Sequence, residues 1–179
     1  MNIEIRDAKK QDVEIVAWTV LTALDMETNE IDKFIRSCLE EDSIYSWRNS
    51  IVATVDGKTV GCLIAYEGSR YKELRKKSWL QLWDDMDSKY LKTIEAETVD
   101  GEFYLDSMAI LPEYRGYSIG KMLLMYAVEK GKDLGCMYST LLVDVHKPRL
   151  EAYYKSIGFE QYGEMEYFGH DYKRMRYAK

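Results

Sequence analysis

Little in this sequence points to covalent or metallic staples. It has three cysteines, Cys38, Cys62 and Cys136, and no CxxC pair. An odd number at long spacings indicates neither a disulfide framework nor a zinc site, and such usage fits a reducing compartment. Histidine is scarcer still. His146 and His170 have no ligand spacing, so metal catalysis has no support. The two prolines, Pro112 and Pro148, leave no proline-rich linker, and no repeat or low-complexity run is visible. No apolar run approaches the roughly 18 residues of a membrane span; the most apolar short stretch is Val60 to Tyr66. The N-terminus lacks a basic stretch followed by an apolar run, so no secretory signal pattern is present. A cytoplasmic location with no membrane partner is the expectation.

What is present suits one folded domain, residues 1–179. The chain is 46% hydrophobic and 31% charged, a balance typical of packed proteins rather than disordered ones. The net charge of −6 opposes nucleic-acid binding and mildly favours a cationic partner such as an amine.

Hydrophobic periodicity divides the chain into alternating elements. Ile3-Glu4-Ile5 reads as a strand. Asp7 and Asp12 are both candidate caps for a helix carrying Val13, Val16, Ala17, Val20 and Leu24 on one face. A second helix covers Ile31 to Leu39. Two strands, Ser50 to Val55 and Thr59 to Tyr66, flank Asp56-Gly57, a strong hairpin signal. A helical insertion follows at about residues 69–96. Its basic first turns (Arg70, Lys72, Arg75, Lys76, Lys77) read as a solvated face. Its aromatic face (Tyr71, Trp79, Trp83, Tyr90) reads as core or as a lid over a cleft. Then come a strand from Glu102 to Ile110, a helix from Ser118 to Leu134 and a strand from Ser139 to Val145. A short helix opens at Pro148 and stops at Gly158. Two closing strands turn at Gly169-His170. The expected class is α/β (α+β), a mixed sheet covered by helices.

The most informative segment joins the Glu102 strand to the Ser118 helix through Leu111-Pro112-Glu113-Tyr114-Arg115-Gly116-Tyr117. The first amides of a helix lack internal acceptors, and the helix dipole is positive there. Glycine lets a bulky group approach the backbone. Such a strand-loop-helix can hold a phosphate; an ordinary turn with glycines for geometry is the competing reading.

Tyr114-Arg115-Gly116-Tyr117-Ser118-Ile119-Gly120 resembles the acetyl-CoA loop of the GNAT superfamily of N-acetyltransferases, Arg/Gln-x-x-Gly-x-Gly/Ala. Arg115 and Gly120 match, and Ser118 replaces the middle glycine. Lys147 to Phe159 is similar to the second motif of that family, with Tyr154, Gly158 and Phe159 matching and Lys147 and Leu150 departing from it. The opening Ile3 to Ala8 also resembles the first strand of the family. The likeness is weakest over about residues 68–100. It implies a mostly antiparallel central sheet flanked by helices, and transfer of acetyl from acetyl-CoA to a primary amine of a small molecule or protein. It also implies a monomer or homodimer. An acyl-CoA-binding sensor that kept the fold and lost turnover is the alternative.

The resemblance also implies site residues. The cofactor would lie on Arg115, Gly116, Tyr117, Ser118, Ile119, Gly120 and Lys121, with its thioester carbonyl held by backbone near Met108, Ala109 and Ile110. Tyr154 would protonate the leaving thiolate, since a phenol with a pKa of about 10 keeps its proton at neutral pH. Alternation along a strand puts Glu102, Tyr104, Asp106 and Met108 on one face. Glu102 and Asp106 are therefore the candidate bases, and Tyr104 the candidate acceptor contact. His146 and His170 are alternative bases that nothing pairs with a nucleophile. Tyr153, about 100° round the helix from Tyr154, reads as structural.

Overall fold

In a computed structural model, residues 1–177 are described. Seven strands form one sheet: β1 (Ile3–Asp7), β2 (Ser50–Val55), β3 (Lys58–Glu67), β4 (Glu102–Ile110), β5 (Tyr138–Asp144), β6 (Phe159–Tyr167) and β7 (His170–Tyr177). Their spatial order is β1-β2-β3-β4-β5-β7-β6. Every neighbouring pair is antiparallel except β4 and β5. Six helices accompany them: α1 (Val13–Ala23), α2 (Ile31–Leu39), α3 (Tyr71–Leu82), α4 (Ser88–Leu91), α5 (Ile119–Asp133) and α6 (Pro148–Ile157).

The local chemistry explains these boundaries. At the β2–β3 turn, Asp56 (φ 48°) and Gly57 (φ 84°) both sit in the left-handed region, the geometry a two-residue hairpin needs. The closing hairpin turns one residue earlier than its sequence suggested. Phe168 (φ 50°) and Gly169 (φ 75°) carry the turn, and His170 already belongs to β7. Of the two candidate caps, Asp12 is the one that precedes α1. It is buried and accepts from the Lys9 amide at 2.7 Å, from Arg6 at 2.8 and 3.1 Å, and from Thr59 at 3.1 Å.

Two cores result, one on each face of the sheet. Leu63, Phe103, Leu105 and Met175 meet Leu123, Ala127 and Val128 of α5 and Tyr154 and Ile157 of α6. Val52, Cys62, Ile64 and Tyr104 meet Val16 and Val20 of α1, Phe34 of α2, and Tyr71 and Leu74 of α3. Each fully buried side chain of this kind stabilises the fold by about 1.5–3 kcal/mol. The α5 face is packed so closely that a Cβ on Gly131 would lie 2.8 Å from Phe103 Cβ.

The inserted segment differs from its sequence reading in two respects, at Arg75 and at Tyr90. Arg75 belongs to the basic run yet is only 5% exposed. Its guanidinium donates to the carbonyls of Leu91, Ile94 and Glu95 at 3.0–3.2 Å and lies over the rings of Tyr71 and Trp79. A buried cation needs this degree of pairing, and here it ties α3 to the chain leaving α4. Trp79 is buried and contacts Trp83 and, at 5.7 Å, Phe168 at the hairpin tip. Tyr90 is exposed on α4 and does not share that face.

Candidate active site

The site begins where the sheet opens. β4 and β5 pair only from Glu102–Tyr138 to Tyr104–Thr140. Beyond Tyr104, β4 runs on to Ile110 with no strand on that side among the described residues. Leu111 N–H donates to Val60 O at 2.9 Å, across to β3. Antiparallel pairing alternates, so Ala109 also turns its polar groups toward β3, while Met108 and Ile110 turn theirs into the gap. The Ile110 carbonyl takes Arg115 Nε at 3.0 Å. Arg115 thereby ties the loop to the end of β4, and is otherwise exposed.

That loop enters α5 through two unusual residues. Gly116 has φ 88° and Ser118 has φ 63°. Ser118 caps α5 without a side-chain bond, and its carbonyl accepts from Met122. The amides of Ile119, Gly120 and Lys121 at the start of the helix therefore have no helical acceptor. Gly120 is the meeting point. A Cβ there would lie 3.0 Å from Tyr153 Oη, 3.4 Å from Ile110 Cδ1 and 3.5 Å from Met108 Cε. Loop, β4 edge and α6 therefore converge on one spot, where a small residue fits and a larger side chain would have to displace Tyr153. Tyr153, read from sequence as structural, reaches across to the start of α5 from an exposed position.

Tyr154 sits next to it on α6. It is 9% exposed, packs edge-on against Phe159 at 5.9 Å, and its hydroxyl has no hydrogen-bond partner among the described residues. Burial pushes this phenol up to about 12, with Tyr153 adding to the effect. It is therefore held protonated through the neutral range.

On the opposite face of the sheet lies a carboxylate cluster. A bulge in β4 builds it: Ile64 faces Ser107 and Ala65 faces Leu105, which leaves Asp106 as an extra residue. The bulge also corrects the simple alternation. Glu102, Tyr104 and Asp106 share a face, but Met108 packs with Leu105 and Phe103 on the α5 side. Asp106 accepts from Tyr66 Oη at 2.6 Å and Ser107 Oγ at 2.7 Å. Burial, then the nearby Glu97 carboxylate, push its carboxyl up to about 7 against the two hydrogen bonds.

Glu97 was not visible as a site residue in the sequence. It accepts from Tyr71 Oη at 2.7 Å and Tyr104 Oη at 2.8 Å. Tyr104 is thus 2% exposed and committed to Glu97. Glu102 is in a different situation. It is buried and saturated by Thr98, Thr140, Tyr162 and the Val99 amide at 2.8–3.3 Å. Both histidines are exposed. Two open surface grooves, one beside Trp18 and one beside Arg48, include no residue of the gap. Among the described residues no group of three His, Cys, Asp or Glu could hold a metal, and no helix is long and apolar enough to cross a membrane.

The sequence profile of the acetyltransferase (GNAT) family matches residues 17–159. The chain belongs to that family. Solved structures agree. One described as an acetyltransferase is 26% identical, with a TM-score of 0.80 over 97% of each chain. An N-acetyltransferase from Staphylococcus aureus Mu50 is 24% identical, with a TM-score of 0.79 over 97% of this chain and 99% of that one. The PaiA N-acetyltransferase from Thermoplasma acidophilum, solved with coenzyme A, shares the fold at 17% identity and a TM-score of 0.59, over 99% and 100% of the two chains. A search of curated proteins found no significant match.

Proposed function

We propose that this GNAT protein transfers the acetyl group of acetyl-CoA to a primary amine of a small molecule or protein, by direct attack in a ternary complex. The observation that carries the reading is the convergence on Gly120. Helix-start amides, the free edge of β4 and the Tyr153 hydroxyl meet at one end of the gap, with the Tyr154 ring 5.9 Å from that of Tyr153, while Asp106 stands on the other face of the same strand.

The loop from Arg115 to Lys121 holds the pyrophosphate, because helix-start amides and the dipole favour an anion. The backbone of Met108 and Ile110, which faces the gap, holds the pantetheine arm and the thioester carbonyl, whereas Ala109 is paired with β3; a preorganised donor there is worth most as the oxygen gains charge. The acceptor arrives as an ammonium, drawn by the acidic protein. Asp106 takes one proton, directly or through water. An amine with a pKa of about 10.4 needs such a base, and a carboxyl near 7 is better matched to the task than an ordinary one. Of the two carboxylates singled out in the sequence, Asp106 serves as the base and Glu102 as a buried brace. The amine lone pair forms the C–N bond, and the nitrogen gives its second proton to solvent. The C–S bond then breaks, the thiolate takes the Tyr154 proton, and Tyr154 is reprotonated from solvent. A cytoplasmic location, where acetyl-CoA is available, is consistent with this reaction.

The test is release of free thiol from acetyl-CoA on addition of a panel of amines. Tyr154→Phe should lower kcat by about 10²-fold or more while leaving the KM for acetyl-CoA nearly unchanged, as expected when only a proton donor is lost. Acetyl-CoA binding with no amine-dependent thiol release across the panel would sink the reading and favour an acyl-CoA sensor.

A further inference from the structure

Asp106, the proposed base, has a second carboxylate near it, Glu97. Glu97 lies on the segment after α4, outside both sequence motifs. Its two oxygens are taken by tyrosines from different elements, Tyr71 of α3 and Tyr104 of β4. The Asp106 carboxylate is held by a third tyrosine, Tyr66 of β3. The rings of Tyr66 and Tyr104 touch edge-on at 5.9 Å, and Tyr66 stacks on Tyr71 at 6.3 Å. Two carboxylates are thus mounted on one continuous tyrosine cluster. Neither has a cationic side chain within ion-pair distance among the described residues. Arg75 donates to Tyr71 Oη at 3.3 Å and otherwise to backbone carbonyls, not to the Glu97 carboxylate.

We infer that Glu97 is a positioning residue of the acetyl transfer, a fixed negative charge that makes Asp106 a stronger base than a lone carboxylate. The inference rests on the proposed role of Asp106.

The other groups facing Asp106 cannot do this in the working range. Tyr45, Tyr66 and Tyr104 lie close to it, and burial raises each of these phenols well above its ordinary value. Ser107 donates a hydrogen bond and does not titrate there. Around Glu97, Tyr71 and Tyr167 are likewise raised by burial first and by the Glu97 charge second, and Arg174 donates to the Glu97 carbonyl rather than its carboxylate. Burial and the Glu97 charge both raise Asp106, and Glu97 is the one of these that a single substitution can remove. Like charges sharing poorly solvated ground favour the protonated form of one of them, and a carboxyl raised this way accepts a proton from an ammonium more readily. The tyrosine hydroxyls hold Glu97 in place, so its charge does not drift into solvent.

Two measurements test this. The first titrates the Asp106 side chain by carbon NMR in the resting protein, wild type against Glu97→Gln. The substitution keeps size and removes charge, so the Asp106 midpoint should fall by about one pH unit or more. An unmoved midpoint overturns the inference. Should Glu97→Gln not fold, the wild-type curve decides: two interacting carboxylates titrate in two steps, whereas one simple step at the ordinary position overturns the inference. The second measurement follows amine-dependent thiol release against pH. The acidic limb should move to lower pH in Glu97→Gln and return in Glu97→Asp, which restores the charge. A purely structural role would lower the rate and leave the limb in place. Absence of turnover with every amine would sink the acetyl-transfer reading, while the NMR result would still decide the effect of Glu97 on Asp106.

Discussion

On the α5 and α6 side of the gap, polar groups are offered by backbone amides and neutral phenols. On the α3 side, they are carboxylates seated on tyrosines. The first side suits a polyanion carrying a thioester, since helix-start amides and a protonated Tyr154 add no negative charge. The second suits a cation that must lose a proton, since Asp106 and Glu97 gather negative charge without a cationic partner. β4 belongs to both. Its bulge at Asp106 sends Tyr104 and Asp106 to one face and Met108 and Ile110 to the other. One irregular residue therefore lets a single strand present both faces that the proposed reaction requires.

The comparison breaks most severely at Gly120. A glutamate there meets the Tyr153 hydroxyl at its first side-chain atom and Ile110 and Met108 immediately after. It also adds negative charge where a phosphate would rest. Gly120→Glu should abolish the rise in melting temperature that a bound ligand confers by mass action, whereas the carboxylate side should keep its acid titration. A melting shift equal to wild type would remove acetyl-CoA from this end of the gap.

How much of each side could be read beforehand follows from the kind of signal each uses. The cofactor side rests on local rules: a strand, a glycine loop, a helix start and a tyrosine four residues before a glycine. Arg115, Gly120 and Tyr154 are candidates that such rules single out, whereas the reach of Tyr153 to Gly120 depends on how α6 packs. The alternation of Glu102, Tyr104 and Asp106 was also legible, up to the bulge that displaces Met108. The inserted side rests on long-range placement. Glu97 lies in a run that also holds Glu95 and Asp100, and nothing local separates the one that receives two tyrosine hydroxyls. Arg75 sits among exposed lysines and becomes buried only because the chain after α4 returns over it. Glu102 and Asp106 looked equivalent as strand carboxylates. Thr98, Thr140 and Tyr162 distinguish them, and these come from three different parts of the chain.

A milder perturbation sharpens the carboxylate side. Asp106→Asn keeps the shape and removes the charge. Loss of a general base should cost about 10²-fold in kcat and remove the acidic limb near pH 7, because the limb is the protonation of that group. Stability should change in the opposite direction. An unfolded aspartate titrates near 4, and the folded one near 7. Between those values the folded chain holds the extra proton, so wild-type stability falls as pH rises through the window and then levels off. The asparagine protein lacks that loss. It should melt above wild type at pH 8, and the difference should close toward pH 4. Parallel melting curves at every pH would mean that Asp106 titrates normally and is no base.

The smallest effect concerns Ser118, on the cofactor side. It occupies φ 63° at the start of α5, with no side-chain cap bond to offset the strain. A residue with a Cβ in the left-handed region costs about 1–2 kcal/mol relative to its preferred conformation, and glycine escapes most of this at the expense of about 0.5–1 kcal/mol of unfolded-state entropy. Ser118→Gly should therefore gain up to about 1 kcal/mol, which in a chain of this size raises the melting temperature by about 2–4 °C. Acetyl-CoA affinity should stay within about twofold if backbone amides hold the phosphate, since the substitution leaves them all in place. A raised melting temperature with a much higher KM for acetyl-CoA would show instead that the serine hydroxyl itself holds a phosphate oxygen. The cofactor side would then depend on a side chain after all, and its contrast with the carboxylate side would be one of charge alone.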